Sequence, residues 1–183
     1  MGIAVLLGSS RKNGNTDRLA GQLVKGLDAI KLYLSDYNIQ PINDYRHSER
    51  ESFPDDDYLM LMEQVLKQDI IVFATPVYWY GMSGVMKTFV DRWSQSLLEN
   101  RAGFRAALSA KKAFVIAIGD DEPHLKGLPL IQQFQYIFDF AGITFAGHLL
   151  GKGNRPDDIL HDAAALIALE ELRGKLNHYL AGA

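Results

Sequence analysis

The chain has 183 residues and a mass of 20.4 kDa, the length of one domain, so a single domain over 1–183 is expected. Apolar residues make up 48% and charged residues 22%, and 19 Lys+Arg against 22 Asp+Glu leave a net charge of -3. These values exclude a disordered chain and give no basic excess for binding nucleic acid, and the absence of cysteine excludes disulfides, thiolate nucleophiles and cysteine-ligated clusters.

The start, Met1 to Leu6, lacks the positive region of a signal peptide, so a cytoplasmic location is expected. Ile3 to Leu7 is a short continuous apolar run, the mark of a strand buried on both faces. A glycine-rich loop follows, then Leu19, Leu23 and Leu27 at helical spacing. Ile30 to Leu34 reads as a second strand. The polar stretch from Asn43 to Asp57 reads as a long surface loop, with Asp55 to Asp57 capping the next helix. That helix carries Leu59, Met62, Val65 and Leu66. Ile70 to Ala74 is the third strand. The uncharged stretch from Ile70 to Met86 is broken by Pro76 and Gly81 and falls short of a membrane span. Met86 to Leu97 predicts a third helix with Ser83 as its N-cap. Ala113 to Ile118 is the fourth strand, Ile131 to Phe140 a helix, and Ile143 to Leu149 the fifth strand. A long helix over Ile159 to Leu180 follows, with Pro156, Asp157 and Asp158 near its start.

Strict strand–helix alternation predicts a parallel sheet covered on both faces. Five strands at this length point to a flavodoxin-like three-layer sandwich with sheet order 2-1-3-4-5. Ligands of such sheets bind at the carboxyl ends of the strands, where the order reverses. The loops after the first and third strands flank that crevice.

The first of these loops reads Gly8-Ser9-Ser10-Arg11-Lys12-Asn13-Gly14-Asn15-Thr16. Small residues let amides converge, the hydroxyls of Ser9, Ser10 and Thr16 add donors, and a helix N-terminus favours an anion. Arg11 can offer a forked, charge-assisted contact. The loop suits a terminal phosphate; the alternative is a simple turn with Asn13 or Asn15 as N-cap. It matches neither the nucleoside-triphosphate loop, because Asn15 stands where Lys is needed, nor G-x-G-x-x-G.

The second loop, Thr75-Pro76-Val77-Tyr78-Trp79-Tyr80-Gly81-Met82-Ser83-Gly84, places three consecutive aromatics beyond a buried strand. They suit a flat conjugated ligand, or else cover the sheet end or a subunit interface. A planar ring joined to a phosphate satisfies both loops, and flavin mononucleotide (FMN) has that shape.

The pair GSSRKNGNT and ATPVYWYGMSGVMKTFVDRW resembles the flavodoxin-like NADPH-dependent FMN reductase family, in particular its members related to iron–sulfur flavoproteins. The resemblance implies FMN as cofactor, NAD(P)H as transient donor, a quinone or other small acceptor, and a homo-oligomer. It implies that Ser9, Arg11, Asn15 and Thr16 hold the phosphate, with Ser10 and Gly14 lining the loop. It implies that Pro76, Val77, Tyr78, Trp79 and Tyr80 carry the ring, and that Gly119 and Asp120 touch its far side. The cysteine cluster of the iron–sulfur members, expected between Pro41 and Pro54, is missing.

The other candidates are weaker. His124 falls in a carboxyl-end loop, where a histidine can orient substrate or protonate a reduced acceptor, but it reads more simply as exposed. Asp91-Arg92 reads as a solvated helix face, and Tyr136 with Phe138 to Phe140 as core or interface. His47, His148, His161 and His178 lack metal-ligand spacing. Two other functions compete with the oxidoreductase: a flavodoxin-type electron carrier and a flavin-free interaction module.

Overall fold

The computed structural model describes residues 1–44 and 53–182. Most of the Asn43 to Asp57 stretch, including His47, therefore lies outside the described residues. Five parallel strands form one sheet in the order β2-β1-β3-β4-β5, as expected from the alternation. They are β1 (Ile3–Leu7), β2 (Ala29–Tyr33), β3 (Ile70–Pro76), β4 (Lys112–Gly119) and β5 (Thr144–Lys152). Registers such as Val5 opposite Val72 and Val72 opposite Phe114 hold the central strands together.

Alternate side chains of these strands enter separate cores. Ile3, Val5, Leu7, Val72 and Ile116 pack under α1 (Asn15–Leu23) and α7 (Ala163–Ala181). Ala4, Leu6, Phe73 and Val115 pack on the other side. There they meet α2 (Tyr58–Leu66), α3 (Gly84–Asp91), α4 (Trp93–Ser109) and α6 (Leu128–Ala141). The short α5 (Pro123–Lys126) follows β4.

Ser83 does cap α3: its hydroxyl accepts the Met86 amide at 3.3 Å. The single helix expected over Met86 to Leu97 is instead two, meeting at Arg92, and α4 runs on to Ser109 past a non-helical Asn100. The C-terminal helix begins later than expected. Ile159 lies in a 3-10 turn over Asp158–His161, and α7 starts only after Asp162, whose carboxylate takes the Ala165 amide at 3.1 Å.

Arg92 is a correction. It does not face solvent: its side chain is 0% exposed and pairs with the Asp56 carboxylate, which is 1% exposed. The guanidinium also donates to the Gln40 carbonyl at 2.9 Å and to Gln95 Oε1 at 3.1 Å, and lies 4.7 Å above the Tyr58 ring. Asp56 accepts the Gln40 and Tyr58 amides as well. The triple aspartate thus has a second duty. Asp57 occupies the N-cap position of α2, but its carboxylate takes the Asn38 amide and not one from the helix.

Candidate functional site

The carboxyl ends of β1, β3, β4 and β5 open onto a cleft of about 210 Å³. Backbone bonds fix its floor: Gly8 donates to the Ala74 carbonyl at 2.8 Å and Val77 to the Ile118 carbonyl at 2.7 Å. Gly8 must be glycine, since a Cβ there would lie 2.8 Å from Ser83 Oγ and 3.1 Å from Met86 Cβ.

The first loop lines the cleft with Ser9, Ser10, Arg11, Gly14, Asn15 and Thr16. Its shape is set from within. The Ser9 hydroxyl accepts the Arg11 amide at 3.2 Å, and the buried Asp17 carboxylate accepts the Asn13 amide at 2.8 Å. Asp17 also receives Lys31 at 2.7 Å and the Tyr33 hydroxyl at 3.0 Å. Burial alone would raise the Asp17 pKa, but these donors outweigh it and hold the carboxyl below its ordinary range.

Neither Asn13 nor Asn15 is the N-cap. Gly14 takes that place without a side-chain bond, and Asn13 turns through the left-handed region at φ 60°. The first amide used inside α1 is that of Arg18, bonded to the Gly14 carbonyl at 2.9 Å. The amides of Asn15, Thr16 and Asp17 are therefore free to meet an anion. The Arg11 guanidinium has no partner among the described residues, while Lys12 is drawn off to Asp36 at 2.7 Å. Free amides, the hydroxyls of Ser10 and Thr16, and one uncommitted guanidinium fit the phosphate of FMN.

Asn15 lies in the cleft, but its side chain is engaged elsewhere. Its amide donates to the Arg155 carbonyl at 2.9 Å and accepts the Ile159 amide at 3.5 Å. It is a strut between the first loop and the loop after β5. Gly153 makes room for it, since a Cβ there would meet Asn15 Nδ2 at 2.6 Å.

The opposite wall holds Pro76, Val77, Tyr78, Gly119 and Asp120. The structure does not bring Trp79 and Tyr80 into the cleft. They line an adjoining hollow of about 210 Å³, which shares Val77, Gly119 and Asp120 with it. Tyr78 and Gly81 exchange two backbone bonds of 3.0 Å around them. Trp79 and Tyr80 sit at φ 49° and 64°, where aromatic residues are strained.

Ile118, Gly153 and Asn154 also line the cleft and carried no motif in the sequence. Asn154 donates to Asp120 at 2.9 Å, joining the loops after β4 and β5. The one available signal was topological: in a doubly wound sheet every carboxyl-end loop is a candidate wall. His124 lies outside the cleft, with Nε2 3.3 Å from Asp162. Among the described residues no cluster of His, Asp and Glu is arranged to hold a metal ion.

A loop of small, hydroxyl-bearing residues at the first crossover, facing an apolar and aromatic wall at the switch point of a 2-1-3-4-5 sheet, is the arrangement of a flavodoxin-like protein. The profile of the NADPH-dependent FMN reductase family matches residues 1–132. YwqN of Bacillus subtilis (strain 168), provisionally named an NAD(P)H-dependent FMN-containing oxidoreductase, is 52% identical over 174 residues, 94% of this chain and 96% of that one. An iron–sulfur flavoprotein of Archaeoglobus fulgidus is 30% identical over 163 residues, 84% of this chain and 70% of that one. A solved structure described as the Trp repressor binding protein from Bacillus subtilis superposes with a TM-score of 0.79 at 47% identity, covering 93% of this chain and 96% of that one.

The chain belongs to the NADPH-dependent FMN reductase family. It is an FMN-dependent oxidoreductase with NAD(P)H as electron donor.

Proposed function

We propose that Ser10, Arg11, Thr16 and the free amides of α1 hold the FMN phosphate, and that Pro76, Val77, Tyr78, Gly119 and Asp120 flank the ring. The observation that carries this reading is the free Arg11 guanidinium beside unused helix amides at the switch point. Ser9 and Gly14 shape the loop, and Asn15 braces it. When bound, FMN supplies the two-electron chemistry of NAD(P)H + H⁺ + quinone → NAD(P)⁺ + hydroquinone. The protein's part is to fix the phosphate, exclude water from the floor of the cleft and hold the two walls at a set spacing. Anaerobic stopped-flow mixing of FMN-loaded protein with NADPH and with NADH tests the reading. Rapid bleaching of the flavin by at least one is expected. Failure with both would favour an electron carrier served by a separate reductase.

We place the enzyme in the cytoplasm, where its donor is supplied; recovery in the membrane fraction of cells would refute this. Among the described residues no helix is long and apolar enough to cross a membrane.

The proposed oligomer is a homodimer. An apolar groove of about 300 Å³ between α4 and α6, lined by Trp93, Leu97, Phe104, Leu108 and Ile137, supports it. Tyr136 and Phe140 rim the groove and stay 67% and 58% exposed, while Phe138 between them is core. Large apolar surfaces of this kind mark association sites. Sedimentation should give a dimer for the native chain and a monomer for Phe140→Asp. A native monomer would refute the assignment.

A further inference from the structure

Asp17 is an awkward neighbour for an anion. It stands in the first turn of α1, whose unused amides form the proposed phosphate cradle, and its carboxylate is 4% exposed. An ionised acid at a helix N-terminus occupies the same favourable field that a phosphate would use, and the two repel each other. Yet the first loop depends on this carboxylate. Its Oδ2 accepts the Asn13 amide at 2.8 Å, which secures the left-handed turn at Asn13, and the Tyr33 hydroxyl at 3.0 Å. Its Oδ1 accepts Lys31 at 2.7 Å. Lys31 stands on β2, outside the cleft. Its ammonium lies against α1 at Gly21, one turn on from Asp17, where a Cβ would come 3.0 Å from Lys31 Nζ. Glycine weakens a helix interior relative to alanine, and clearance for this ammonium gives Gly21 its reason.

We propose that Lys31 is a specificity residue for the phosphorylated flavin, acting through Asp17: it neutralises the carboxylate that shapes the first loop, so that a phosphate dianion can be received beside it. The proposal rests on the FMN assignment above. Asp17 has two opposed effects on such a ligand. Its bond to the Asn13 amide orders the loop, and its charge repels the dianion. Lys31 cancels the second effect and leaves the first. The neighbouring charges make this cancellation count. Lys12 is paired with Asp36 and Arg18 with Asp157, so the Arg11 guanidinium is the net positive charge of the loop. Without Lys31, the charge of Asp17 would be set against that of Arg11, and the proposed cradle would meet the dianion with no net attraction.

The test is a titration of the apo-protein at neutral pH with FMN and with riboflavin, which lacks the phosphate. The ratio of the two dissociation constants is the readout. Lys31→Met should weaken FMN binding roughly tenfold, the scale of one uncompensated charge near the dianion at a part-exposed site, and leave riboflavin within about twofold. Lys31→Arg keeps the charge and should stay near the native ratio. In the double variant Asp17→Asn/Lys31→Met both charges are gone, while the asparagine Oδ1 can still accept the Asn13 amide. Its ratio should return most of the way to the native one. The penalty in Lys31→Met should also shrink as salt is raised, as screening of a part-exposed charge requires. An unchanged ratio in Lys31→Met would overturn the proposal. So would equal weakening of both flavins, which would make Lys31 a brace of the fold, or a double variant no better than the single one. A native protein that binds FMN no better than riboflavin would overturn the phosphate assignment itself and this proposal with it, an outcome distinct from the other three.

Discussion

Asp56→Ala should cost about 3–5 kcal/mol of stability, the range for removing one member of a buried ion pair. For a chain of this size that is a fall in melting temperature on the order of 10 °C. The loss arises because the Arg92 guanidinium, 0% exposed, would keep, among the described residues, only Gln95 and the Gln40 carbonyl as acceptors. Arg92→Met should cost less, since Asp56 retains the Gln40 and Tyr58 amides. The double variant should lose less than the sum of the two, because each single change strands a partner that the double change removes. Calorimetry that put Asp56→Ala within about 2 °C of the native protein would refute this account. The sign with pH follows from the same contacts. Burial pushes the Asp56 carboxyl up, but Arg92 and the two amides outweigh it and hold the pKa below the ordinary value. Its contribution is therefore complete above about pH 4, the unfolded value, and is lost as pH falls through the folded one. The gap between native and Asp56→Ala proteins should narrow in acid.

Arg11→Ala should weaken FMN binding by roughly ten- to a hundredfold, the worth of about 1.5–3 kcal/mol for a charge-assisted contact. The side chain is exposed, and its guanidinium has no partner among the described residues, so its removal should not unfold the protein. The other cation of the loop cannot replace it, because Lys12 is bound to Asp36 and lies 4.9 Å from the Tyr33 ring. Titration of the apo-protein with FMN, followed by flavin fluorescence, gives the constant. An unchanged value would show that the amides of α1 carry the phosphate alone. Riboflavin, which lacks the phosphate, should bind the native protein and the variant alike.

The sheet order was readable from residue patterns because its central strands are buried on both faces. Ile70 to Ala74 and Ala113 to Ile118 can satisfy no other environment. Most of the cleft was readable for a related reason: small residues at 8–16 and Pro76 and Gly119 are local requirements of a backbone that must approach a ligand. The errors came where one residue's partner lies far away in sequence. Nothing near Arg92 announces Asp56, 36 positions earlier, so a buried charge looked like a solvated one. Asn15 does line the cleft, but nothing local announced that its side chain bonds Arg155, 140 positions on. Trp79 and Tyr80 follow Tyr78 in the motif, and two positive φ angles place them in the adjoining hollow, which shares Val77, Gly119 and Asp120 with the cleft. The delayed start of α7 had a local sign: Asp162 followed by three alanines is a better N-cap than Pro156 with its neighbouring aspartates.

The Asn15 strut also orders events in time. The loop proposed to receive the phosphate is synthesised first, yet the carbonyl that braces it belongs to Arg155 and the space beside it to Gly153. A nascent chain emerges from its N-terminus and tends to fold by whole domains. Until β5 has joined β4 and the 153–159 segment has come down on α1, the first loop lacks its brace and β4 is an unpaired edge. With the phosphate held as proposed, cofactor capture should wait until translation has passed that segment, and ribosome-bound chains stalled before it should remain colourless in the presence of FMN.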